Sequence, residues 1–149
     1  MSSSDEFSIL EQDIVAIMNM FSELLDSLSE KSSNEINHTL WKIRAELEII
    51  IIEFKGLISD SLLKEKWQED FHQNFKGTKS KEKAITKLKE YRLKEDEIKI
   101  MFSKKRNECY QFLWKLKEVI SSVISAFPET RYTFVNNQLQ EDKEKIFEI

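Results

Sequence analysis

The chain has 149 residues, 40% hydrophobic and 34% charged, a mixture that excludes a disordered chain and suits one compact domain. Gly56, Gly77 and Pro128 are its only glycines and proline, too little punctuation for a sheet of tight hairpins, so composition points to an all-α fold. The net charge of −4 selects no partner class, yet it is uneven: residues 1–35 carry eight acids against Lys31, and residues 76–94 carry eight bases against Glu82 and Glu90.

The first helix is expected from about Asp5 to Ser29. Ser3 and Glu6 have the spacing of a capping box, in which hydroxyl and carboxylate satisfy orphan backbone N–H groups. Phe7, Leu10, Ile14, Ile17, Phe21, Leu24 and Leu28 follow in alternating steps of three and four, a heptad seam. Met18 and Leu25 widen it enough to touch two neighbours.

Ser29 to Asn34 reads as a turn, with Ser32 and Glu35 as the next capping box. The second helix carries Ile36, Leu40, Ile43, Leu47, Ile50, Phe54 and Leu57 in the same rhythm. The pattern slips between Gly56 and Ser61 and resumes at Leu63, Trp67, Phe71 and Phe75, so a stutter or break is expected there. Gly77 is placed to end the helix in a left-handed turn.

The third helix is expected from near Ser80 to just before Pro128. Its seam runs from Ala84 through Leu88, Ile98, Phe102, Cys109, Phe112 and Leu116 to Ala126, interrupted only at Glu95 and Lys105. Pro128 cannot continue a helix. In the tail, Tyr132, Phe134 and Val135 favour an extended stretch, while Leu139, Ile146 and Phe147 suit one side of a short final helix.

Short loops make neighbouring helices antiparallel. Folding about Lys31 and Ser32 brings Ile17 to Leu47 and Leu10 to Phe54, and folding about Gly77 brings Ile43 to Phe112 and Leu40 to Leu116. The first helix spans roughly 37 Å and the third roughly 70 Å, so the first covers only part of the long hairpin. The expectation is a single domain: an antiparallel three-helix bundle (about 5–58 plus 102–127), a coiled-coil hairpin arm (about 60–100) and a tail (128–149). The competing layout breaks the second and third helices and folds the arm back into a compact four- or five-helix bundle.

The residues offer no specific catalytic constellation. Cys109 is the lone cysteine, so an internal disulfide is excluded, and on an apolar seam a thiol acts as a small core hydrophobe. His38 and Cys109 fall short of the four ligands of a structural zinc site, and Glu35 with His38, though at Glu-x-x-His spacing, is read as a chance match to the di-iron pattern. No glycine-rich phosphate loop exists, so neither a metal nor a cofactor nor a small-molecule substrate is expected. The N-terminal MSSSDEF lacks a signal peptide's apolar core, and the longest apolar run, Ile49 to Ile52, is far short of a membrane span. A soluble cytoplasmic protein without membrane attachment is therefore expected.

Two features remain. Trp41, Ala45, Ile49, Ile52 and Gly56 form a second stripe on the second helix, opposite its seam, and Leu93, Ile100 and Trp114 hold outward heptad positions on the third. These residues are the candidate protein interface of an adaptor, complex subunit or inhibitor, with another protein or a second copy as partner. The other feature is the basic tip of the hairpin, where Lys76, Lys79, Lys81, Lys83, Lys87 and Arg92 are candidates for nucleic-acid phosphates, and Tyr91, Phe71 and Phe75 for stacking on bases.

Overall fold

A computed structural model describes residues 3–58, 68, 71, 78–128, 132–135 and 138–141, and the side chains of residues 3, 4 and 129–149 are outside that description. Five α-helices are described: α1 (Ser3–Asp26), α2 (Ser33–Leu57), α3 (Lys81–Lys89), α4 (Glu95–Lys104) and α5 (Arg106–Val123). Short 3-10 turns at Leu28–Glu30 and Ile124–Ala126 close α1 and α5. The fold is all-α, with one appended antiparallel hairpin, β1 (Tyr132–Val135) and β2 (Gln138–Glu141), in which Phe134 pairs with Leu139. Leu139 is thus in a strand rather than a final helix, and Ile146 and Phe147 lie outside the described residues.

Local signals set several boundaries. The Glu35 N–H donates to Ser32 Oγ at 3.1 Å and the Ser32 N–H to Glu35 Oε1 at 3.5 Å, the capping box that starts α2. α2 stops at Leu57, where Ile58 is extended, inside the segment where the heptad slips. Ser80 caps α3 by accepting from the Lys83 N–H at 3.4 Å. Leu63, Trp67, His72, Phe75, Lys76 and Gly77 lie outside the described residues.

The expected third helix is instead three helices, and both breaks fall at the two interruptions of its seam. Glu95, Asp96 and Glu97 form the first turn of α4, where carboxylates complement the helix dipole, and the Lys94 N–H donates to Glu97 Oε1 at 3.1 Å. Lys105, at φ −139° and ψ 57°, is the single residue between α4 and α5. The chain reverses there. Tyr91 and Phe112 would be roughly 31 Å apart on one straight helix, yet their rings lie 5.5 Å apart.

The projecting arm is therefore corrected for residues 78–104, which fold back along the bundle. The Thr78 N–H donates to the Ser122 carbonyl at 3.4 Å, Arg92 pairs with Asp26 at 2.7 Å, and Asn19 donates to Glu95 Oε1 at 3.5 Å. Ala84, Leu88, Ile98 and Phe102 are buried in the same core as α1, α2 and α5. The physical reason is burial: the seam of an isolated two-helix arm stays half wet, whereas against α1 and α5 it is dry.

Four helical columns result. α1 ascends, α2 descends, α3 and α4 descend in series beside α1, and α5 ascends between them and α2. Asn37 meets Phe127, Arg44 meets Ser121 and Phe54 meets Tyr110 along the α2–α5 contact. This slides the expected Ile43–Phe112 register by roughly two and a half turns, because the reversal at Lys105, not a turn at Gly77, sets the start of α5. At the base, Phe54 packs edge-on against Phe102 and Tyr110, each with ring centroids 5.6 Å apart, and Phe7 against Phe102 at 6.1 Å. Arg106 lies 3.9 Å over the Phe7 ring, a cation–π contact that engages a guanidinium whose Nε has no hydrogen-bond partner among the described residues.

Candidate interaction surface

Four consecutive isoleucines on a helix turn through about 300°, so they cannot all face one core. Ile50 and Ile51 are buried, while Ile49 and Ile52 are 58% and 70% exposed. Trp41 (50%) and exposed Ala45 continue the same outward stripe of α2. Arg44 packs its guanidinium 5.5 Å from the Trp41 ring centroid, donates through Nε to Ser121 Oγ on α5, and pairs with Glu48 at 3.3 Å. A tryptophan held against a guanidinium that is itself tied down loses less rotamer freedom when it is covered.

Asp13 and Ala16 of α1 line a shallow groove with Glu46, Ile49 and Ile50 of α2. Ile9 lies one turn before Asp13 on the same flank of α1 and is 47% exposed, so it adds to the edge of this surface. Sequence reading passed over Ile9. Its spacing to Asp13 and Ala16 was the available signal, hidden because Phe7 and Leu10 on either side belong to the seam.

The outward residues expected on the third helix do not join this surface. Ile100 is 55% exposed on α4, at the corner of the bundle diagonal to α2, and faces the other way. Leu93 is half-buried against the core. Trp114 is corrected outright: it is 8% exposed, edge-on to Phe71 at 5.7 Å, with Lys117 Nζ 5.8 Å from its ring. α5 is packed by the rest of the chain on more sides than a three-helix bundle provides, so its outward heptad position is inside.

The basic residues are partly dispersed. Lys79, Lys81 and Lys83 are exposed at the start of α3, and Lys87 is half-buried. Arg92 is engaged by Asp26. Tyr91 stacks on Phe112 and Phe71 on Trp114, so both aromatics are committed to internal contacts. Burial, and then the neighbouring Glu90 carboxylate, push the Tyr91 phenol above its ordinary range.

Buried Cys109 has its thiol pushed up to about 12 by desolvation alone, which keeps it protonated and inert. His38 lies at the opposite end of the α2–α5 contact, beside the level of Phe127, so the two do not form a ligand pair. Among the described residues no group of three or more His, Cys, Asp or Glu side chains is placed to hold a metal ion, and no helix is long and apolar enough to cross a membrane.

No protein-family model, curated protein or solved structure matches the chain.

Proposed function

We propose that this protein is a non-catalytic interaction module, an adaptor, assembly subunit or small inhibitor, that docks through the outer face of α2. The observation that carries this reading is the stripe of Trp41, Ile49 and Ile52, each half exposed or more, on a helix whose other face is fully committed to the core. Aromatic and aliphatic anchors of this kind dominate interface energetics, each contributing about 2 kcal/mol or more at a hot spot. The sequence adds support by offering no specific catalytic constellation and no glycine-rich phosphate loop.

The test is capture of partners from native extract, with and without nuclease, by wild-type protein and by the Ile49→Asp/Ile52→Asp variant. A stoichiometric partner that survives nuclease and is lost from the variant, with helicity unchanged, is the expected result. Retention by a folded variant removes this face from the assignment. Phosphate-backbone binding through Lys79, Lys81 and Lys83 ranks second, since its expected stacking aromatics Tyr91 and Phe71 are already committed internally. Loss of the captured material with nuclease and with salt would promote it.

A further inference from the structure

Resting on that reading, we infer that the occupant of the α2 face is a second copy of this chain, packed antiparallel about a two-fold axis level with Leu47.

The stripe His38, Trp41, Ala45, Ile49, Ile52 and Gly56 lies on one side of α2. Laid against itself antiparallel, it sets Trp41 against Ile52, Ala45 against Ile49 and His38 against Gly56, each pair occurring twice. In the last two pairs a small residue meets a larger one, the condition for close helix approach. At Gly56 a Cβ would have nothing within 4 Å, so the space beside it is open to an incoming side chain. An isologous contact of this kind closes on itself and stops at two copies.

Charge selects the direction. Lys42 and Glu53 are both exposed on the α1-side flank of the stripe, and neither forms an ion pair among the described residues. Antiparallel packing places each Lys42 beside Glu53 of the second copy. Parallel packing loses this pairing, because a parallel two-fold sets the α1-side flank of one copy against the opposite flank of the other. It would also bring together the two acidic N-terminal segments containing Asp5, Glu6 and Glu11, which the antiparallel arrangement keeps at opposite ends.

The contact is small. From His38 to Gly56 the stripe is about 27 Å long, and two such faces bury on the order of 1,000 Å², the low end for specific association. The dimer is therefore weak and concentration-dependent, half-formed at about tens of micromolar.

The experiment is sedimentation equilibrium of the full chain from low to high micromolar concentration, beside Ile49→Asp/Ile52→Asp and a control, Ile100→Asp, on the opposite side of the bundle. Wild type and control should pass from one to two chain masses, and the α2 variant should remain at one with unchanged helicity. The direction is read from cysteine cross-linking at Ala45 and Ile49, with buried Cys109 as an unreactive background. The double variant Ala45→Cys/Ile49→Cys should form an intermolecular disulfide, and each single variant should not. Self-cross-linking of the single variants overturns the antiparallel geometry, and a dimer indifferent to Ile49→Asp/Ile52→Asp overturns this face. A wild type that stays monomeric rejects the second copy. If the Asp variant then still loses its captured partner, the docking face survives with a different occupant; if it loses none, both readings fall.

Discussion

The Asn37 side-chain amide donates to the Phe127 carbonyl at 2.6 Å, joining the first turn of α2 to the chain just beyond α5 across 90 residues. Asn37 is the one buried polar residue among the described positions, and this bond satisfies a carbonyl left over where α5 tightens into its 3-10 turn. Asn37→Ala strands that carbonyl in an apolar environment. It should destabilise the fold by about 1–3 kcal/mol, seen in urea denaturation as a lower midpoint with an unchanged slope.

Two tryptophans that both hold outward heptad positions should behave oppositely. Trp114→Ala empties a packed site between Phe71 and α5 and should cost about 3–5 kcal/mol. Trp41→Ala removes an exposed ring and one cation–π contact and should change stability by less than about 1 kcal/mol. Paired denaturation curves check this. Equal costs would mean that the two environments have been misassigned.

Spin labels on exposed Lys79 and Ser125 test the folded-back path of residues 78–104. The Thr78–Ser122 hydrogen bond requires the two labels to lie within about 20 Å of each other. A straight third helix would separate them by roughly 69 Å. Pulsed dipolar spectroscopy distinguishes these distances.

Cys109 gives a pH dependence with a defined sign. Its thiol rises from 9.0 to about 12 on folding, so the native state holds a proton that the unfolded chain releases first. The contribution to stability is fully present below about pH 9 and falls by about 1.4 kcal/mol per pH unit from there towards pH 12. Cys109→Ala should be less stable at neutral pH, through the cavity it leaves, but should lose stability more slowly between pH 9 and 11. Thiol reagents should modify wild type at pH 8 only as fast as it unfolds.

The helical class, the capped start of α2, the end of α2 near Gly56 and the inward residues of α1 were legible from residue order alone, because caps and helical period act over four residues at most. Ser32 with Glu35 needs no distant partner to start α2, and Ile14, Ile17, Phe21 and Leu24 share a face wherever α1 is placed. Pairing was not legible in this way. An apolar seam is satisfied by any other seam, so Ala84 and Leu88 fit an arm of the second helix as well as they fit α1 and α5. Glu95 and Lys105 read as tolerable interruptions of one long helix, yet each is a local weakness that a packed bundle exploits to break it. Once the chain reverses at Lys105, α5 is surrounded and Trp114 is buried, while Trp41, Ile49 and Ile52 on α2 stay in water. Which of two equivalent outward stripes became core was settled by non-local burial, since hydrophobic free energy depends on the area covered and not on the identity of the neighbour that covers it.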